Sequence, residues 1–137
     1  MKKTAYHLKW PSYQRIPHAV NAIRAENLLF LSGCSGLDRD GNLIGPGDIG
    51  AQTRQAMENM KAALEAAGAS FRNVVHMDTF YADPRLTPKM IEVRSSYFGP
   101  DNPYTTTGVQ VAGFGKPGIL VEMDAIAVLD DEVSSGN

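Results

Sequence analysis

The stretch DIGAQTRQAMENMKAALEAAG, residues 48–68, carries the strongest structural signal in the chain. Asp48 is a residue type that caps helix starts, and Gly68 is typical of the position just beyond a helix end. Between them, apolar and small residues recur at helical spacing on one side and charged residues occupy the other. The inward set is Ile49, Thr53, Ala56, Met57, Met60, Leu64 and Ala67, and the outward set is Arg54, Glu58, Lys61 and Glu65. The pattern predicts an amphipathic helix over residues 48–67 that packs on a sheet.

Strand-forming residues lie upstream of this helix. Residues 20–25 and 27–32 flank the turn at Glu26-Asn27, which predicts a β-hairpin. A glycine-rich connection over residues 33–47 follows. It includes the turn signal at residues 38–42. Residues 1–18 contain two prolines and several polar residues, and we predict that they are irregular.

Strands also follow the helix, together with a second, shorter helix. Residues 74–82 predict a strand, and Thr87-Pro88 predicts a helix start. This helix should run to about Phe98, with Met90, Val93 and Tyr97 inward. Residues 106–112 and 119–129 predict two more strands joined by a glycine-rich loop. Residues 130–137 are polar, and we expect them to fray.

The order of elements predicts an α+β fold in one domain, residues 1–137, with a core at about 19–129. Two helices cannot cover both faces of this sheet. One face would therefore stay bare and apolar in a monomer, and this favours assembly into an oligomer.

The composition excludes several classes of protein. The chain has 137 residues, a formal net charge of −2 and no basic run. A nucleic-acid binder or a polybasic membrane contact is therefore not expected. Neither a run of about 20 apolar residues nor an apolar signal-peptide core is present. Cys34 is the single cysteine, so no internal disulfide can form. A cytoplasmic location is the simplest expectation.

Three weak motifs favour structural interpretations. Residues 113–118, GFGKPG, match the spacing G-x-G-x-x-G, but a strand rather than a helix follows, so we reject nucleotide binding. Asp38, Asp40 and Asn42 lack the later glutamate of a calcium loop. No pair of histidines has the spacing of a helix-borne metal site. A pairing of Cys34 with a histidine as nucleophile stays open, although a lone buried cysteine is commoner.

Glu122 is the strongest candidate for chemistry. It lies in an otherwise apolar predicted strand, LVEMDAIAV (residues 120–128), and shares one strand face with Asp124. A buried acid tends to have a raised pKa and can exchange protons near neutrality. The alternative is a polar edge or a subunit contact, and the residues alone do not separate the two.

Several segments together resemble the RidA/YjgF family of reactive-intermediate deaminases. The segments are NLLFLSG (27–33), GDIGAQTRQA (47–56) continuing to Asn59, AAG (66–68), VQVA (109–112) and VEMDAIA (121–127). The resemblance covers about residues 19–129. It implies a chorismate-mutase-like fold and a homotrimer with its sheets around a central axis and ligand clefts between subunits. It also implies hydrolysis of enamines or imines without a metal or a cofactor.

The resemblance transfers only part of the family's site. Glu122 matches its water-positioning acid, and Ser32-Gly33 match the floor of its cleft. Thr106 stands where the family has the arginine that clamps the substrate carboxylate. Gly108 stands at the position of a neighbouring cysteine or small residue, and Ile91 at that of an asparagine of the second helix. A tyrosine near the family's N-terminus corresponds to His18 or Ala19. Losing the arginine removes a bidentate clamp for a substrate carboxylate.

Three functions follow as hypotheses. The first is a cofactor-free deaminase of an enamine or imine, of the aminomuconate type. In it Glu122 would activate water, Thr106 and Thr107 would orient the substrate, and His18, Arg24 or Lys116 would replace the clamp. The second is a trimer that binds a small metabolite without turnover. RNA cleavage is the least favoured, because the net charge is negative.

Overall fold

A single six-stranded sheet forms the centre of the protein. The computed structural model describes residues 2–13 and 16–130. The strands are β1 (Lys3–Tyr6), β2 (Ala22–Ala25), β3 (Leu28–Ser35), β4 (Val74–Tyr81), β5 (Thr105–Gln110) and β6 (Val121–Val128). Their order in the sheet is β1-β2-β3-β6-β4-β5. Neighbours are antiparallel except β4 and β5, which are parallel, so the predicted α+β architecture is confirmed.

Two helices cover one face of this sheet. Helix α1 (Ile49–Ala66) begins where the Asp48 carboxylate accepts a hydrogen bond from the Ala51 amide at 3.0 Å. It ends before Gly68, whose φ of 75° suits glycine. Helix α2 (Thr87–Ser95) buries Met90 and Val93 as predicted, but it stops before Phe98. Shorter 3₁₀ turns precede β4 and α2.

The hydrophobic core lies between α1 and the sheet. The predicted inward residues of α1 are buried, apart from the half-buried Ala67, and the predicted outward residues are exposed. Met57, Met60 and Leu64 are fully buried, as are Met77 and Met123 from the strands. The alternation of β6 follows from its position. Its odd-numbered residues from Val121 to Ala127 are buried under the helices, whereas its even-numbered ones face the other way.

The opposite sheet face has no helix over it. Leu28, Phe30, Val75 and Val109 are between 39% and 44% exposed. Ile126 and Val128 lie half-buried beside them. An apolar sheet face of this kind is unusual on an isolated protomer. This is the bare face that the count of helices predicts.

The prediction that residues 1–18 are irregular is wrong in part. Lys3–Tyr6 forms β1, which pairs with β2 from Lys3↔Ala25 to Tyr6↔Ala22. The strand shows no apolar alternation, because it lies at the sheet edge and Lys3, Thr4 and Ala5 are all exposed. Its structure comes from backbone pairing rather than burial. Of the predicted frayed tail, residues 131–137 lie outside the described residues.

A β-bulge interrupts the pairing of β3 with β6. The register runs from Leu31↔Ala125 to Cys34↔Met123, so β3 holds one extra residue at Ser32-Gly33. A bulge bends its strand and re-aims the neighbouring side chains, and bulges are common beside active sites. The bulge places Gly33 next to the side chain of Glu122.

Candidate active site

A cleft of about 530 Å³ opens at this bulge. Ligand sites of small molecules have volumes of about 300–1,000 Å³. The cleft lies between the end of β3, the start of β6, the N-terminal segment and the loop before β6. Its lining residues are Trp10, Ser12, Tyr13, Ile16, Gly33, Cys34, Ser35, Leu37, Asn59, Phe114, Gly115, Lys116, Ile119 and Glu122.

Glu122 is the one carboxylate among the described lining residues. Its side chain lies directly over the bulge: a Cβ placed on Gly33 would come within 2.6 Å of Glu122 Oε1. A side chain at this position would force the carboxyl group to shift. Burial raises the pKa of Glu122 above its ordinary value. The group is therefore closer to exchanging protons at neutral pH than an exposed glutamate is.

Cys34 lies beside Glu122 but is a poor nucleophile. The residue is 6% exposed, and its thiol lies 3.5 Å from the Ser32 carbonyl, to which it donates a weak hydrogen bond. Burial, with the negative charge of Glu122, raises the pKa of Cys34 to about 12. A thiol in this state stays protonated, and the thiolate is the reactive form. No histidine is among the described lining residues, so the described site does not assemble the Cys34–histidine pair.

Tyr13 and Trp10 form an aromatic wall of the cleft. Their rings meet edge to face with centroids 6.4 Å apart, and Trp10 is 8% exposed. The Tyr13 hydroxyl donates a hydrogen bond to the Gly33 carbonyl at 3.4 Å. Burial raises the pKa of Tyr13, so the phenol remains neutral and can act only as a hydrogen-bond partner at physiological pH.

Side-chain amides of α1 hold the loops around the cleft. Asn59 Nδ2 donates to the Ser35 and Leu37 carbonyls, at 3.1 and 2.7 Å. The fully buried Gln52 donates to the Gly118 carbonyl and accepts from the Leu120 amide, at 3.1 and 2.8 Å. These bonds join the segment after β3 and the loop before β6 to the same helix. The glycine-rich loop at 113–118 leads into a strand, as the sequence predicts.

A polar network continues from Glu122 along the bare face. Asp124 is half-buried and pairs across the strands with Asp78. Burial, followed by the hydrogen bond and charge of Asp78, raises the pKa of Asp124 to about 6. His76 Nε2 lies 3.0 Å from Asp78 Oδ1, and this bond lowers the pKa of Asp78. Thr105 Oγ1 lies 2.7 Å from the other His76 ring nitrogen. His76 therefore belongs to this network rather than to the cleft.

The cleft of one protomer contains few of the predicted site residues. Glu122 and Gly33 line it, and Ser32 lies at the bulge with its hydroxyl donated to the Val20 carbonyl at 2.6 Å. His18, in an exposed turn with φ of 69°, lines a separate depression together with Ser32. The others lie elsewhere. Thr106, Thr107 and Gly108 lie on edge strand β5, two strands from β6, and Ile91 lies 45% exposed on α2.

Sequence reasoning missed the wall formed by Trp10, Tyr13 and Phe114. Trp10 and Tyr13 lie in the segment that was predicted to be irregular, where no periodic pattern ties a residue to a partner. The available signal was their type: two large aromatic residues close together in a polar segment generally need a surface to pack against.

Within residues 2–13 and 16–130, no helix is long and apolar enough to cross a membrane. No group of three or more histidine, cysteine or acidic side chains there could hold a metal ion.

Comparison with known proteins places residues 13–129 under the family model described as endoribonuclease L-PSP. A RutC family protein of Pyrococcus horikoshii is 42% identical over 77% of this chain and 82% of its own. The 3-aminoacrylate deaminase RutC of Acinetobacter baylyi is 34% identical over 79% and 84%. The mouse 2-iminobutanoate/2-iminopropanoate deaminase is 33% identical over 78% of each chain.

A solved structure has the same fold. It is a Yersinia pestis protein of the conserved Rid family, described as of unknown function. It matches 93% of this chain and 100% of its own with a TM-score of 0.85 at 28% identity. The predicted resemblance to the RidA/YjgF family is therefore confirmed.

Proposed function

The chain belongs to the endoribonuclease L-PSP family, which includes the RutC and Rid proteins, and we propose that it is a hydrolytic deaminase of a small enamine or imine. The observation that carries the proposal is the carboxyl group of Glu122, which lies over Gly33 in the cleft with a raised pKa. Two relatives, at 34% and 33% identity, are named as deaminases of 3-aminoacrylate and of 2-imino acids.

The chemistry needs one group that moves a proton twice. With the imine protonated on nitrogen, the Glu122 carboxylate accepts a proton from water while the oxygen of that water bonds to the imine carbon, which gives a carbinolamine. The Glu122 carboxyl group then protonates the amine. As the carbon–nitrogen bond breaks, the hydroxyl proton returns to the Glu122 carboxylate, the carbonyl product forms, and the released ammonia takes up that proton and leaves as ammonium. An enamine first gains a proton on carbon to become the imine. A raised pKa suits an acid that must act in both directions.

Assembly would complete the site. The bare face carries partly exposed apolar side chains, and Thr106 and Thr107 on the β5 edge are exposed in one protomer. We propose a closed trimer with a chorismate-mutase-like arrangement, in which the sheets surround the axis and a β5 edge borders the cleft of a neighbour. Thr106, Thr107 and Gly108 of that neighbour would then orient the substrate. His18, which lies beside Ser32 next to β2 and β3, would contact it from the protomer that supplies Glu122, and the exposed Ile91 on α2 would be a further contact. Light scattering should report about three times the chain mass of 14.8 kDa, and a stable monomer at micromolar concentration would refute the assembly.

The test of the reaction uses imines made in solution. An amino-acid oxidase with catalase generates 2-imino acids of different side chains, and semicarbazide traps what remains. The protein should accelerate the loss of at least one imine before trapping. With a threonine dehydratase as the source of 2-iminobutanoate, we expect little acceleration. Thr106 stands at the position of the family's clamping arginine. The loss of a charged hydrogen bond to the substrate should lower the rate roughly ten- to a hundred-fold.

Two alternatives have different outcomes in the same experiment. A trimer that binds metabolites without turnover would leave every imine unaffected while still binding the carbonyl products. RNA cleavage is disfavoured, because Lys116 is the one cation among the described lining residues and the bare face carries Asp78 and Asp124. Phosphate chains require a basic surface.

A further inference from the structure

The described lining of the cleft carries one cation and one acid. Among its described lining residues, Lys116 is the one basic side chain and Glu122 the one acidic side chain. Lys116 lies in the loop before β6, where its ammonium group donates to the Gly41 carbonyl. An ammonium has three donors, so two remain for a ligand.

Two other basic side chains, among the residues that the structure describes, have partners outside the cleft. The Arg39 guanidinium lies 5.2 Å from the centroid of the Trp10 ring as a cation–π contact and does not line the cleft. Arg24 donates to the Glu26 carbonyl at 2.7 Å and lines a separate depression beside β1 and β2. Of Arg24 and Lys116, the two candidate replacements for the missing clamp, the geometry therefore favours Lys116.

Six large apolar or aromatic side chains also line the cleft. Trp10, Tyr13 and Phe114 line the cleft together with Ile16, Leu37 and Ile119. A three-carbon imino acid would leave most of a 530 Å³ space unfilled. A conjugated or aromatic body would bury its faces against the aromatic side chains, and such pairs are favourable beyond their buried area.

We infer that the cleft binds a carboxylic acid with a flat conjugated or aromatic body, whose carboxylate pairs with Lys116 and whose body packs on Trp10, Tyr13 and Phe114. Under the proposed function, on which this substrate class rests, the body places the imine carbon beside Glu122. Lys116 then replaces a bidentate arginine by a point charge, which constrains the angle of the carboxylate less. The specificity would come from the aromatic wall rather than from the clamp.

Intrinsic fluorescence tests this binding without turnover, because Trp10 is the one tryptophan of the chain. Titration with 3-phenylpropanoate should change the fluorescence saturably, at least ten-fold tighter than propanoate does. Lys116→Gln keeps a donor for the Gly41 carbonyl but loses the charge. It should weaken 3-phenylpropanoate about ten- to a hundred-fold and leave the neutral 3-phenylpropan-1-ol unchanged. Lys116→Arg should retain binding of the acid.

Arg24→Gln is the matched control, because it removes a cation outside the cleft, and it should bind 3-phenylpropanoate normally. Phe114→Ala should reduce the preference for 3-phenylpropanoate over propanoate. Equal binding of the two acids, or unchanged affinity in Lys116→Gln, would overturn the inference.

Turnover separates this inference from the proposed function. If phenylalanine-derived imine is hydrolysed with the same kcat/KM by Lys116→Gln, the deaminase stands and the inference is wrong. If 3-phenylpropanoate binds through Lys116 but no imine is hydrolysed, the ligand class stands and the deaminase is wrong.

Discussion

Alternating residues of β6 face opposite sides of the sheet, and the two sides differ in burial and in charge. Val121, Met123, Ala125 and Ala127 are at most 2% exposed beneath α1 and α2. Glu122 and Asp124 point to the other side, where burial is partial and both acids have raised pKa values. The helix face is close-packed and apolar, so it stabilises the fold. The opposite face holds two acids whose pKa values are raised by partial burial, which suits proton transfer.

The surroundings of each acid on this face depend on the neighbouring strands rather than on β6 alone. The bulge at Ser32-Gly33 gives Glu122 a cleft, whereas Asp124 one pair further along faces Asp78 across the strands. Two acids two residues apart thus have different partners. Only Glu122 lines the cleft.

Truncation on the helix face should have the largest effect on stability. Met123 is fully buried, so Met123→Ala leaves a cavity and should lower the free energy of unfolding by about 2–5 kcal/mol. Activity per folded protomer should stay unchanged. Urea unfolding measures the loss, and Ile44→Ala, at a 37% exposed position, is the control. A loss below about 1 kcal/mol for Met123→Ala would contradict the assigned core.

A methyl group at the bulge should affect chemistry more than stability. In Gly33→Ala the added carbon would displace the carboxyl group of Glu122, since a separation of 2.6 Å from its Oε1 is too close. A shift of about 1 Å in a reacting group can cost about 10²-fold in rate. We expect kcat to fall by this order, measured with the imine that the protein hydrolyses best.

Gly113→Ala is the matched control for this substitution, because no atom lies within 4 Å of its added carbon. Equal activity of Gly33→Ala and Gly113→Ala would show that the carboxyl group does not need its position over the bulge.

The smallest effect should be the pH dependence of stability at Asp124. Its pKa in the folded protein is raised to about 6, above the value in the unfolded chain. Its contribution is therefore most favourable below about pH 4 and is lost as the pH rises through 6. Asp124→Asn should gain stability relative to the parent protein between pH 5 and pH 8, by less than about 1 kcal/mol.

Asp38→Asn is the control without a trend. A backbone hydrogen bond from Asn42 lowers the pKa of the exposed Asp38, so its contribution to stability is lost only as the pH falls below about 4, and the difference between this variant and the parent should be the same at pH 5 and pH 8. Urea unfolding at both pH values distinguishes the two variants. The same trend in both would contradict the environment assigned to Asp124.

Periodic elements were predictable from the sequence, and contacts between distant segments were not. The inward face of α1, the alternation of β6 and the bare sheet face follow from residue spacing. Glu122 was predicted because an acid in an apolar strand is conspicuous. The edge strand β1 was missed because its residues carry no burial pattern, and the wall at Trp10 and Tyr13 because loop packing has no period. Thr106 and Ile91 lie away from the cleft of one protomer, so their roles stay predictions about an assembly.

The most direct measurement of the central claim is the turnover of Glu122→Gln. Glutamine keeps the shape of the side chain and its contact with Gly33 but cannot accept a proton from water. The account predicts a fall in kcat of about 10²–10⁴-fold, with the unfolding free energy and the oligomer mass nearly unchanged. A folded and assembled variant with full activity would contradict it, and so would a weakened assembly with unchanged turnover per site.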